Sequence, residues 1–92
     1  MSAFVGIDVA KASLVVAVVP GNQRLEVGND PKGHAQLVRW LAKQPVGRVL
    51  LESTGGYENG VVGVLAPRWP LVRVPPHRAR AFATAMGKSA KT

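Results

Sequence analysis

The sequence contains no cysteine, which excludes disulfides, iron–sulfur clusters and thiolate zinc sites. Its two histidines, His34 and His77, are too few for a histidine-built metal centre unless carboxylates join them. Long apolar runs are missing as well. No segment approaches the ~18 consecutive apolar residues of a membrane span. Asp8 interrupts the apolar run near the N-terminus, so the basic-then-apolar order of a signal peptide is absent. A cytoplasmic protein with no membrane partner is the expectation. Acids are scarce: five Asp and Glu against twelve Lys and Arg give a net charge of +7. That balance suits a polyanionic partner. It is also uneven, because Arg68, Arg73, Arg78, Arg80, Lys88 and Lys91 follow one another with no acid among them.

What is present describes one small globular domain. Its 92 residues are 47% apolar and 18% charged, outside the composition of disordered chains. The organising stretch is Phe4-Val5-Gly6-Ile7-Asp8. Phe4, Val5 and Ile7 form a strand-length run of the kind found in sheets covered on both faces, and a carboxylate ends it. Two readings of Asp8 stand side by side. It caps or turns the strand, or it holds a metal, a phosphate-bound metal or a base, since a buried carboxylate without a partner costs several kcal/mol.

Leu14 to Val19 is a second apolar run, its four valines favouring strand over helix. Pro20-Gly21-Asn22 marks a turn, and Gln23 to Val27 alternates as a half-exposed edge strand does. Asn29-Asp30-Pro31 reads as a helix start, a capping residue followed by proline at the first helical position. His34, Leu37, Val38 and Leu41 then share one helical face, with His34 and Trp40 read as packing residues. After Pro45 and Gly47 comes a buried strand through Leu51 that again closes on a carboxylate, Glu52. Ser53 and Thr54 read as caps of a glycine-rich helix bearing Val61, Val62 and Leu65, stopped by Pro67. Pro70 to Val74 is a fifth strand, and Pro75-Pro76 opens a third helix with Ala79, Phe82, Ala83 and Met86 on its apolar stripe. The folded domain is expected over 1–87 and a flexible basic tail over 88–92.

This order is a meander followed by strand–helix crossovers, hence an α/β fold. Right-handed crossovers put the fourth strand beside the first, in a mixed sheet of order 3-2-1-4-5 with helices on its faces. Asp8 and Glu52 then end neighbouring parallel strands, where open α/β sheets place their sites. Two carboxylates with no lysine between them repel, and a divalent cation relieves the repulsion. Oxygen-only ligation suits Mg²⁺ or Mn²⁺. A two-metal phosphodiester site uses further acids, and Glu26, Asp30 and Glu58 do not lie at strand ends that could supply them.

Gly6-Ile7-Asp8-Val9-Ala10-Lys11, Leu51-Glu52-Ser53-Thr54-Gly55-Gly56-Tyr57, Val74-Pro75-Pro76, Arg80-Ala81-Phe82-Ala83 and Gly87-Lys88-Ser89-Ala90-Lys91-Thr92 resemble the N-terminal domain of DEDD-type transposases. This is the prokaryotic insertion-sequence group that includes the pilin-gene invertase and the bridge-RNA-guided recombinases. The resemblance implies a RuvC-like, ribonuclease-H-type fold and DNA transposition and recombination. It makes Asp8 and Glu52 the first two members of an acidic catalytic tetrad holding Mg²⁺ or Mn²⁺. It also implies DNA as partner, a structured guide RNA in some relatives, and a homo-oligomeric full-length protein. In that family the Ala-Lys-Thr stretch runs into an Asp and, three residues on, another, and a later domain carries a serine nucleophile. Here Ala90-Lys91-Thr92 ends the sequence. The expectation is therefore an N-terminal fragment, inactive alone, that holds its metal weakly. Two other classes compete. A non-catalytic module would bind nucleic acid through the basic C-terminal helix without metal, and in either reading Lys11, Arg78, Arg80, Lys88 and Lys91 are the expected nucleic-acid contacts. An actin-like ATPase fragment would also begin with Gly-Ile-Asp, but Ala10-Lys11 is a poor phosphate loop.

The acid-free basic segment predicts weak, sequence-independent binding to duplex DNA. Roughly 3–5 phosphate contacts give a log–log salt slope of about −3 to −4.5. Fluorescence anisotropy across a salt series checks the slope, and charge reversal at Arg78 and Arg80 should weaken all sequences equally.

Overall fold

Two valine-rich stretches at the N-terminus form the first hairpin of the sheet, and each later element is placed against it. The structure, a computed structural model, describes residues 2–52 and 55–74. β1 (Ala3–Val9) pairs antiparallel with β2 (Ser13–Val19), and β2 pairs antiparallel with β3 (Gln23–Gly28) through a turn in which Gly21 and Asn22 both take positive φ. α1 (Pro31–Ala42) crosses to β4 (Val46–Glu52), which lies parallel to β1 on its free side. α2 (Asn59–Leu65) then leads to β5 (Leu71–Val74), parallel to β4. The sheet order is β3-β2-β1-β4-β5, the expected 3-2-1-4-5.

Alternation along the strands separates two faces. Val5, Ile7 and Val9 of β1, Leu14, Val16 and Val18 of β2, and Val49 and Leu51 of β4 are buried in one cluster with Leu37 and Leu41 of α1 and Val61 and Leu65 of α2. Both helices therefore cover the same face. Trp40 packs against this cluster as expected. The intervening residues, Phe4 and Asp8 on β1 and Arg48, Leu50 and Glu52 on β4, belong to the opposite face.

α1 begins as its sequence requires. Asp30 is the N-cap, its Oδ1 accepting the Gly33 amide at 2.7 Å, and Pro31 is the first helical residue. α2 starts later than the sequence suggests: Glu58 occupies its cap position with no side-chain capping bond. Ser53 and Thr54, expected as caps, lie outside the described residues. So do the third helix, the 88–92 tail and Arg78, Arg80, Lys88 and Lys91.

Close approach of α1 to the end of β3 depends on Gly33. A Cβ there would fall onto the Gly28 backbone carbonyl, which cannot withdraw without distorting β3. Gly33→Ala should therefore lower the unfolding free energy by about 3 kcal/mol. Gly63→Ala, with nothing within 4 Å of the new methyl, should raise it by roughly 0.5–1 kcal/mol. Urea denaturation of the two variants checks the contrast in sign.

Candidate metal and nucleic-acid site

The site begins with a register. Val5 pairs with Val49, Gly6 with Leu50 and Ile7 with Leu51 across the parallel β1–β4 ladder. The next residue on each strand is Asp8 and Glu52, so alternation turns both carboxylates to the same face, away from α1 and α2. The structure thus brings these two sequence-predicted residues together at the carboxyl ends of neighbouring parallel strands. Asp8 is half-buried, whereas Glu52 is 3% exposed and its Oε2 is fully enclosed. Two hard oxygen donors side by side fit a magnesium- or manganese-type cation and do not fit a soft one. Among the described residues no group of three or more His, Cys, Asp or Glu converges. The remaining acids are placed elsewhere: Glu26 is exposed on β3, Asp30 caps α1, and Glu58 is buried at the start of α2.

The loops that leave β1 and β4 meet at Asn29, a residue that sequence reasoning treated only as part of a helix start. Asn29 Nδ2 donates to the carbonyl of Ala10 at 2.8 Å and to that of Tyr57 at 2.9 Å. With both amide hydrogens directed at carbonyls, Oδ1 must accept, so the 2.8 Å contact to His34 is a bond donated by the Nε2–H of the ring. The Asn29 backbone amide donates to the Ala12 carbonyl at 3.0 Å. In the β4 loop, Gly55 and Gly56 have φ of +57° and +93°, a conformation that glycine adopts without steric cost and that lets the chain double back to Tyr57. The sequence held one clue: two capping-type residues, Asn29 and Asp30, stand in tandem before a helix that needs one.

Lys11 is exposed just beyond Asp8. It borders an open groove of about 800 Å³ between α1 and α2, whose walls include Asn29, His34, Val38, Tyr57 and Arg68. Tyr57, 49% exposed, presents its ring on that rim. Arg78, Arg80, Lys88 and Lys91 lie outside the described residues and are not placed relative to the groove.

His34 is buried, and burial pushes its pKa below the ordinary value of 6.5, outweighing the nearby Asp30 charge that pulls it up. Below 6.5 the unfolded chain binds this proton more readily than the folded one. Stability is then fully present above pH 6.5 and declines as the pH falls from there toward the folded pKa. Urea midpoints between pH 7.5 and pH 5 should show this decline, and His34→Gln should flatten it.

Comparison with known proteins adds a family to this geometry. No curated protein matches the chain in sequence. Among solved structures, T. thermophilus RuvC in complex with a Holliday junction substrate superposes with a TM-score of 0.64 at 14% identity, over 84% of this chain and 66% of that one. A second Thermus thermophilus RuvC structure gives 0.60 at 16% identity, over 80% and 64%. The chain thus spans just under two thirds of the length of either RuvC chain, and the likeness shows the ribonuclease-H-type fold. A family model described as a transposase, of the DEDD type found in IS110 elements, matches residues 5–92. Matched over nearly its whole length, and folded as RuvC is, the chain belongs to the DEDD transposase family as its N-terminal RuvC-like domain.

Proposed function

We propose that this chain is the N-terminal part of the catalytic domain of a DNA transposase, in which Asp8 and Glu52 hold a divalent cation for DNA strand cleavage and joining. The observation that carries the reading is the register of the β1–β4 ladder. Asp8 and Glu52 follow directly on the Ile7–Leu51 pair, on one face, at the carboxyl ends of two parallel strands. No packing requirement explains two acids there, because the neighbouring positions of both strands are filled by Val, Ile and Leu. A cation bound there supplies Lewis-acid stabilisation of phosphoryl charge and a water of lowered pKa. The chain's own residues supply position and charge. Asp8 and Glu52 end neighbouring strands on one face as the two ligands, and exposed Lys11, three residues beyond Asp8, supplies positive charge for a phosphate of the nucleic-acid backbone.

DNA as the substrate is supported by the family and by the RuvC relative solved with a Holliday junction. Arg78, Arg80, Lys88 and Lys91 extend the positive charge along the sequence. Magnesium or manganese is the cation class favoured by the donor set, and two carboxylates hold it weakly. The complete protein is expected to act as a homo-oligomer in the cytoplasm, in some relatives with a guide RNA.

Manganese binding tests the reading. Calorimetry should show weak binding by the 92-residue chain that Asp8→Asn or Glu52→Gln reduces at least about tenfold, in the range seen when metal-site groups are removed. Asp8→Asn should leave the unfolding free energy unchanged or raise it by up to about 1 kcal/mol, because the charge serves function more than packing. With either ion the chain alone should cleave no DNA. Equal manganese affinity in Asp8→Asn, or metal-dependent cleavage by the chain alone that is lost in Glu52→Gln, would overturn this account.

A further inference from the structure

The β1–β4 ladder stops one rung short of the carboxylates. Its last pair is Ile7–Leu51, whereas β1 stays paired with β2 as far as Val9–Leu14 and β4 stays paired with β5 at Glu52–Val74. Parallel strands have no hairpin to hold their ends together. Among the described residues, no backbone pair between the two strands follows Ile7–Leu51 at the level of Asp8 and Glu52. Among the described residues, the next tie between the two strand ends is the Asn29 side chain. It binds Ala10, two residues beyond Asp8, and Tyr57, five residues beyond Glu52.

We propose that Asn29 is a positioning residue for the pair of carboxylates, joining the two loops so that Asp8 and Glu52 keep one spacing. The inference rests on the reading of Asp8 and Glu52 as ligands given above. Helix capping does not account for Asn29, because Asp30 already receives the Gly33 amide. Its Nδ2 group instead donates to carbonyls 19 and 28 residues away, while Oδ1 accepts from His34 in α1. The Ala10 and Tyr57 carbonyls, which can only accept, set its orientation, and His34 holds the oxygen so placed. The Nε2–H of His34 holds Oδ1, and a flipped amide would set Oδ1 against two carbonyl oxygens and an NH₂ group against the ring N–H. His34 is itself held between helices, since a Cβ on Gly60 of α2 would come within 2.8 Å of its Cε1. The chain of contacts runs from the helix layer through one imidazole and one amide to both strand mouths. Groups that hydrogen-bond metal ligands directly commonly change affinity about 10–100-fold when removed. Asn29 acts one step further out, on the loops that follow the two ligands, so the lower end of that range is expected.

Amide hydrogen exchange and manganese calorimetry, on the same 92-residue variants, test the tie and its consequence separately. Asn29→Ala should speed exchange about tenfold at Ala10 and Asn59, whose amides bond within the two tied loops to Ser13 and Gly56, while Val5 and Val49 in the sheet stay unchanged. Its manganese affinity should fall about tenfold. His34→Leu should reproduce both effects, and it serves as the comparison if Asn29→Ala does not fold. His34→Gln, which offers an N–H at the reach of Nε2, should restore affinity to within about twofold of wild type. A folded variant with unchanged exchange at Ala10 and Asn59 overturns the tie. Faster exchange with unaltered manganese affinity overturns the positioning role. A wild-type chain that binds no manganese overturns the ligand reading and with it the positioning role, and exchange then still decides whether Asn29 joins the loops.

Discussion

Strand β1 depends on neighbours that arrive by two different routes. Its buried amides and carbonyls must be paired on both edges, since an orphaned backbone group in the interior costs about as much as a lost hydrogen bond. β2 satisfies one edge by a short hairpin turn. The other edge can be satisfied only by a strand that returns from far along the chain, and β4 returns in parallel through α1. That parallel pairing is what the candidate site depends on. An antiparallel β4 would carry Glu52 to the opposite end of the sheet from Asp8.

The crossover does more than return the chain. α1 closes the core with Leu37 and Leu41, both fully buried, and each such side chain contributes roughly 1.5–3 kcal/mol by leaving water. It can sit low on the sheet because Gly33 has no side chain to strike Gly28. The same descent brings His34 inward and leaves Asn29 between the two strand mouths. Core packing and site geometry therefore share one short segment, residues 28–34, and a change made there for stability acts also on the loops around Asp8 and Glu52.

Elements whose local rules agree with one another were readable from residue order. The valine runs, the Pro20-Gly21-Asn22 turn and the Asp30-Pro31 helix start all lie where the sequence places them. Handedness then orders the strands, because a crossover to a parallel neighbour is right-handed. The start of α2 was less readable. Serine and threonine after Glu52 suggest an early cap, yet α2 begins at Asn59, because Gly55 and Gly56 first turn the chain back through left-handed conformations. Side-chain hydrogen bonds spanning 19 and 28 residues leave no periodic trace, so Asn29 read only as part of a helix start.

Residue order alone determined the strand and helix sequence, the basic character, and the presence of two acids that end apolar strands. These are local properties: side-chain shape, alternation and charge act over a few residues and need no knowledge of what packs where. Tertiary structure alone decided that β1–β4 pairing among the described residues ends at Ile7–Leu51, that burial lowers the pKa of His34, and that one asparagine reaches both loops. Each of those depends on the distance between segments far apart in the chain. That distance is set when the helices settle on the sheet, as close as Gly33 and Gly60 allow.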